Sequence, residues 1–112
     1  MMGMSLNRRL VLEERLETAD GAGGLTQGWV ALGTLWAAMD SRSGREVNRG
    51  AVRLSRAVYR VTVRAAAPGA PSRPRPDQRF REGTRVYRIL AVSEHDPQAR
   101  YLTCFVEEEV AS

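Results

Sequence analysis

The side chains that most often do chemistry are scarce in this chain and are not grouped along it. It has one histidine, His95, and one cysteine, Cys104. Metal sites need several imidazole, thiolate or carboxylate ligands in register, and nucleophilic catalysis needs a base within reach of the nucleophile. A histidine beside an Asp-Pro pair is typical of a solvated turn, and a cysteine between Thr103 and Phe105 is typical of a strand packed on a core. The sequence therefore predicts no enzyme, no metal site and no cofactor.

The arginines are the second group with a chemistry of their own, because a guanidinium binds phosphates and carboxylates. The chain has 17 arginines, no lysine and 13 acidic residues. Residues 42–88 hold thirteen of the arginines against three acidic residues, a local excess of ten positive charges. The acidic triplet Glu107-Glu108-Glu109, near the other end, is either a solvated terminus or a patch for a neighbour's arginines. Such a chain can bind nucleic acid or copies of itself head to tail.

Five arginines follow a helical spacing in a stretch that begins near Ser43. Apolar residues there are spaced four, three and four positions apart, and the arginines from Arg45 onwards four, four and three, so the two sets lie on nearly opposite sides of one short helix. Gly50 weakens this helix by about 1 kcal/mol relative to alanine. The arginines form a solvated face, a surface towards DNA, or half of a subunit contact. The arginine stripe consists of Arg42, Arg45, Arg49, Arg53 and Arg56, and the apolar stripe of Val47, Ala51, Leu54 and Val58.

Alternation of apolar and polar residues predicts five or six strands in all. Gly33 lies in the middle of an unusually long apolar run and indicates a bulge or bend there. The turn-forming residues 94–99 lie between the last two strands, which we expect to pair as a hairpin. The predicted strands cover residues 9–17, 29–40, 58–64, 85–93 and 100–107.

The remaining features indicate one domain, residues 1–112, outside any membrane. No apolar run reaches the roughly 18 residues that a membrane span needs, and the start of the chain lacks the apolar region of a signal peptide. Residues 65–76 carry four prolines and a glycine, which predicts an extended, exposed connection. We expect a mainly β fold, a small barrel or sandwich of five to six strands with one short amphipathic helix in a long loop.

One ordered set of short motifs spans nearly the whole chain. Each motif is loose by itself, whereas the set in this order and at this length is specific. The motifs are Leu6-Asn7-Arg8-Arg9, Asp20 and Gly23-Gly24 before Trp29, Leu35-Trp36-Ala37, Ser43-Gly44-Arg45-Glu46, Tyr59-Arg60-Val61-Thr62-Val63-Arg64, Thr84-Arg85-Val86-Tyr87-Arg88-Ile89, Ala91-Val92 and residues 100–107. In this set the chain resembles the head-tail joining, or head-closure (stopper), family of tailed phages and gene transfer agents.

The resemblance implies a small β-barrel that forms a ring of six or twelve copies and helps to close the DNA channel. The ring would lie below the portal and its adaptor protein and above the tail terminator or tail tube protein. The resemblance also implies that residues 40–57 reach the channel, where the arginine stripe would meet packaged double-stranded DNA or a neighbouring subunit. Synthesis in the bacterial cytoplasm and assembly into the particle at the head-tail junction would follow, with no membrane involved. The alternative is a small basic β-barrel that binds nucleic acid as a monomer.

Overall fold

The computed structural model describes residues 5–41 and 57–109, and these form a barrel of six β-strands. The predicted mainly β class is therefore confirmed. The predicted helix and its arginine stripe fall on residues outside the described ones, while Val58 lies in the third strand. The strands are β1 (Arg8–Ala19), β2 (Leu25–Ser41), β3 (Ala57–Arg64), β4 (Arg79–Glu82), β5 (Arg85–Glu94) and β6 (Tyr101–Glu109).

All neighbouring strands are antiparallel, in the order β1-β2-β3-β6-β5-β4, and β4 returns to pair with β1. The closing contact is short and joins Val11–Glu13 to Arg79–Arg81. Alternate residues along each strand face inward, and their side chains fill the interior of the barrel. The residues with no exposed surface are Leu10, Leu12, Ala37, Val61, Val63, Phe80, Tyr87, Ile89, Leu102, Cys104 and Val106.

The first two strands continue well past the barrel as a two-stranded ribbon, which we define as residues 14–30. β1 pairs with β4 only up to Glu13, and β2 pairs with β3 only from Ala37 onwards, so within residues 5–41 and 57–109 no third strand pairs with the ribbon. The register shifts where the ribbon leaves the barrel, between Leu12 and Glu13, opposite Gly33. This confirms the predicted irregularity at Gly33, whose φ of +156° is rarely adopted by other residues.

The tip of the ribbon is a turn built around one aspartate. The Asp20 carboxylate accepts hydrogen bonds from the backbone N–H groups of Ala22 (2.8 Å) and Gly24 (3.0 Å). Gly21 and Gly23 have positive φ values, which other residues adopt only at a cost. Both strands extend as far as this turn, so that β1 ends at Ala19 and β2 begins at Leu25.

Two details between β3 and β5 differ from the expectations. The proline-rich connection is not simply exposed, because Pro74 is fully buried and Arg73 donates a 2.8 Å hydrogen bond to the carbonyl of Ala66. The four-residue strand β4 was not predicted, because it carries a single apolar residue, Phe80, between charged ones. Both features cover the side of the barrel that β1 and β5 would otherwise leave open.

Candidate assembly surfaces

Two salt bridges lie across one mouth of the barrel, which we call the charged end. Arg8 donates two hydrogen bonds to the carboxylate of Glu82, at 2.7 and 3.0 Å. Arg85 donates two to Glu108, at 2.9 and 3.0 Å, and the Tyr59 hydroxyl contributes a weaker bond to the same carboxylate at 3.3 Å. Bidentate pairs of this kind fix the orientation of both partners. The first pair joins β1 to β4. The second joins β5 to β6, and Tyr59 links β3 to it.

The charged end also shows in the acid-base properties of its side chains. The hydrogen bonds from Arg8 hold the pKa of Glu82 below its ordinary value, and those from Arg85 do the same for Glu108. Burial raises the pKa of Tyr87, whose hydroxyl has no hydrogen-bond partner among the described residues. The Tyr59 and Tyr87 rings meet edge to face at 5.5 Å. Tyrosines and ion pairs together close the barrel at this end.

The segment that carries the predicted arginine stripe is attached at the charged end. β2 ends at Ser41 and β3 begins at Ala57, and Ser41 pairs with Tyr59. The segment therefore leaves β2 and enters β3 at the mouth of the barrel that carries the two salt bridges. The five arginines of the stripe, Arg42, Arg45, Arg49, Arg53 and Arg56, themselves lie outside the described residues.

The predicted acidic triplet lies at the same end, beside the start of β3. Ala57 pairs with Glu108 and Val58 pairs with Glu107. Glu108 is engaged within its own subunit by Arg85 and Tyr59, whereas Glu109 is exposed at the end of β6. Sequence reasoning placed the triplet and the stripe in separate regions, and the strand register brings the triplet next to the attachment points of the stripe.

The other charged cluster is almost buried and lies where the ribbon leaves the barrel. Glu13 is 5% exposed and accepts hydrogen bonds from Arg79 at 2.7 Å and Arg81 at 2.8 Å. Burial raises the pKa of Glu13, but the hydrogen bonds from Arg81 and Arg79 outweigh it and lower the pKa overall. The Trp29 ring of the ribbon covers the Arg79 guanidinium at 4.0 Å. Glu13 therefore fixes the base of the ribbon to β4.

A row of arginines and aromatic residues crosses the outer wall of the barrel and was not singled out from the sequence. Arg9 lies opposite Trp36 and 5.8 Å from its ring centroid, and Arg64 lies opposite Tyr101 at 5.9 Å. Trp36 and Arg64 each adjoin one member of the Ala37–Val63 pair, so the row is continuous over β1, β2, β3 and β6. We call these four residues the arginine-aromatic row.

The residues considered first for chemistry fit structural roles. Cys104 is buried in the core, where burial raises its pKa to about 12. His95 is exposed in the turn before β6 and its Nδ1 lies 2.9 Å from the Thr103 hydroxyl. Residues 5–41 and 57–109 hold no group of three or more histidine, cysteine or acidic side chains that could bind a metal ion. No helix among them is long and apolar enough to span a membrane.

Comparison with known proteins gives a family and a fold. The profile of the phage head completion protein family matches residues 1–109. One similar structure is a chain of the virion of a native gene transfer agent particle, with 50% identity and a TM-score of 0.80, which covers 98% of this chain and 100% of that one. Protein SF1141 from Shigella flexneri 2a, with 21% identity, a TM-score of 0.69 and 96% of each chain covered, shares the fold. No curated protein sequence matches.

The family match and the gene transfer agent match agree in the region they cover. The family profile extends over both strands of the ribbon, the charged end and the arginine-aromatic row. The 50%-identical chain has the same fold over nearly its whole length. The resemblance noted in the sequence is thereby confirmed, and the chain belongs to the phage head completion protein family.

Proposed function

We propose that this chain is a structural virion subunit that completes the DNA-filled head and joins it to the tail. The observation that carries the proposal is the match to a gene transfer agent virion chain over the full length of that chain, at 50% identity. At this level of identity the two chains share the fold of the whole barrel. The work of such a subunit is association with other head and tail proteins, which needs complementary surfaces and no catalytic group.

In this proposal, copies of the barrel form a ring between the portal with its adaptor and the tail terminator or tail tube. Residues 42–56 carry five arginines and one glutamate, a net charge of +4. Guanidinium groups bind DNA phosphates without regard to base sequence, as a channel that passes any packaged DNA requires. The pairing of Ser41 with Tyr59 supports this role, because it fixes the two strands between which the segment runs, and the Tyr59 hydroxyl is hydrogen-bonded to Glu108 at 3.3 Å.

The acidic triplet supports a second contact of the same assembly. Glu109 is exposed at the end of β6, and Glu107 and Glu108 precede it beside the start of β3. We propose that this acidic edge faces basic groups of a neighbouring subunit, including the arginine stripe where that stripe does not contact DNA. Glu108 is neutralised by its ion pair with Arg85, so the exposed Glu109 is the main acidic group of this contact.

A monomeric nucleic-acid-binding barrel remains the competing proposal, and the ion pairs argue against it. Among the described arginines of the basic region, Arg79 and Arg81 are bound to Glu13, and Arg85 is bound to Glu108. These guanidinium groups are occupied before any phosphate arrives. A monomeric DNA-binding module predicts tight, strongly salt-dependent DNA affinity of the isolated protein, whereas the ring subunit gains its affinity when assembly brings many copies together.

The test is to delete the gene in the source organism and to examine the particles by electron microscopy. The proposal predicts full heads that lose DNA, beside complete but separate tails. Complementation with the unchanged gene restores joined particles. Normally joined particles in the deletion strain would contradict the proposal.

A second complementation separates the channel from the rest of the fold. A variant with all five arginines of the stripe changed to glutamine is expected to join heads to tails poorly or to retain DNA poorly. The matched control changes three exposed arginines of the barrel, Arg75, Arg88 and Arg100, to glutamine and is expected to behave like the parent. Equal behaviour of the two variants would remove the arginine stripe from the proposal.

A further inference from the structure

We propose that the ring is held together by a repeated contact in which the ribbon of one copy lies on the arginine-aromatic row of the next. This inference rests on the proposed function and names the surfaces of self-association. The occupant of the row is thus a second copy of this chain. A contact between two different surfaces of identical subunits closes into a ring when the rotation between neighbours divides a full turn.

The ribbon has the properties of an arm that needs a partner. No third strand of the described part of the chain pairs with it, and an isolated two-stranded hairpin is at best marginally stable in water. On the face that Leu25 shares with Glu17 and Gln27, Leu25 is nevertheless 65% exposed, and on the opposite face Leu16 is 52% exposed and Val30 is also exposed. Apolar surface left open on a protruding element is typical of a protein contact.

The arginine-aromatic row has the complementary composition. Trp36 is 54% exposed, and Arg9 and Arg64 flank it on the neighbouring strands. Within the described residues these two guanidinium groups contact only the rings of Trp36 and Tyr101, and neither makes an ion pair. Tryptophan, tyrosine and arginine are the residue types enriched at the centres of protein interfaces.

The charges of the two surfaces are opposite. Glu14 of the ribbon is paired with Arg75 of its own subunit at 3.3 Å, which leaves Glu17 and Asp20 against Arg15, a net charge of −1. The row carries Arg9 and Arg64 and no acid, a net charge of +2. Opposite potentials on two faces fix the register of an interface and disfavour wrong partners. The apolar and the charged parts of both surfaces therefore match in kind.

The ribbon cannot reach the row of its own subunit. Leu25 and Trp36 lie on the same strand, eleven residues apart, which is about 35 Å along an extended strand. Because the two strands of the ribbon are paired along their length, the ribbon cannot fold back on its base. The overall extents of 57 × 41 × 23 Å show how far the molecule departs from a compact barrel. A contact between the ribbon and the arginine-aromatic row must therefore join two copies of the chain.

The experiment is site-specific photo-crosslinking in assembled particles. Leu25 is replaced by a photoreactive phenylalanine derivative, the particles are purified and irradiated, and the crosslinked peptides are identified by mass spectrometry. The inference predicts crosslinks from the ribbon to the β2 and β3 outer wall of a second copy, around Trp36 and Arg64. The same probe at Leu90, an exposed residue of β5, is the matched control and should not reach that wall.

A second probe at Gln27 keeps the apolar residues of the ribbon intact and should reach the same wall. Changing Arg9 and Arg64 to glutamate is expected to abolish these crosslinks and to leave those of Leu90 unchanged. Crosslinks from the ribbon to another protein, to a different wall of a second copy, or to nothing in particles that contain the protein would overturn the inference alone. Absence of the unmodified protein from the particles would instead overturn the proposed function, and the inference with it.

Discussion

The two strands β1 and β2 bury their apolar side chains in the barrel and expose them in the ribbon. Leu10 and Leu12 of β1 have no exposed surface, while Leu16, two alternations further along the same strand, is half exposed. The pattern of apolar residues continues, but the partner strands β3 and β4 do not. Alternation predicts which face of a strand is apolar, and only the neighbouring strands decide whether that face is buried. Among the described residues, no further strand covers the apolar side chains of the ribbon.

The glutamates of β1 show the same contrast in charge. Glu13, at the edge of the barrel, is nearly buried and accepts hydrogen bonds from two arginines. Glu17, on the same face of the same strand, is exposed and accepts one 3.2 Å hydrogen bond from Gln27. The charge of Glu13 is compensated inside the barrel, whereas Glu17 faces solvent.

The largest difference is expected in thiol reactivity. Burial in the core raises the pKa of Cys104 to about 12, so its reactive thiolate form is scarce and shielded in the folded protein. A Leu25→Cys variant adds a second, exposed thiol on the ribbon. With a thiol-specific reagent at mildly alkaline pH we expect Leu25→Cys to react at least about a thousandfold faster than Cys104, which becomes reactive only on unfolding. Comparable rates for the two thiols would contradict the described core.

The next difference concerns packing. Phe80 is fully buried between β1 and β5, so Phe80→Ala leaves a cavity and is expected to lower the free energy of unfolding by about 3–5 kcal/mol. The matched change in the ribbon, Leu25→Ala, is expected to alter it by less than about 0.5 kcal/mol in the isolated protein. Urea unfolding of both variants measures the two values. A large loss in Leu25→Ala would mean that the ribbon packs within its own subunit.

A smaller effect is expected for the buried carboxylate at the base of the ribbon. Glu13→Gln removes the charge that compensates Arg79 and Arg81 and keeps the shape of the side chain. We expect the free energy of unfolding to fall by about 2 kcal/mol. Glu17→Gln, on the ribbon, serves as control and should leave stability nearly unchanged. If the two variants are equally stable, Glu13 does not fix the ribbon to the barrel.

The smallest effect is expected in the acid range at the charged end. The pKa of Glu82 is lower in the folded protein than its ordinary value of 4.5, so the unfolded chain binds the proton more readily. Its contribution is therefore complete above that value and is lost as the pH falls through the lower, folded pKa. Glu82→Gln should show a smaller loss of stability between neutral and acidic pH than the parent. A steeper loss in Glu82→Gln would reverse the assigned direction.

The strands could be predicted well because their patterns are local. Alternation located β3 to within a residue and the β5–β6 hairpin to within two residues at each end. The length of β2 and the short β4 could not be found in the same way. Residues 25–28 contain only one apolar side chain, and β4 exists because β1 and β5 lie on either side of it. Pro74 is buried for a similar, non-local reason.

The candidate surfaces were less predictable, because they depend on pairs distant in sequence. Arg8 and Glu82 are 74 residues apart, and neither has a neighbour that would mark it as paired. The arginine-aromatic row takes one residue from each of four strands, so only the register reveals it. The arginine stripe, by contrast, was visible as a spacing, and its contacts with DNA or a neighbour stay a prediction. The acidic triplet was visible as a run of three glutamates, the register added its position beside the start of β3, and its contact with a neighbour stays a prediction.

The central claim is that this barrel is a structural component of the junction between head and tail. Cryo-electron microscopy of particles from the source organism tests it most directly, with the map of the junction resolved well enough to fit the six-stranded barrel. The account predicts a ring of barrels between the portal-adaptor assembly and the tail, with residues 42–56 towards the channel and each ribbon on the next subunit. A junction without this barrel, in particles that are full and joined, would contradict it.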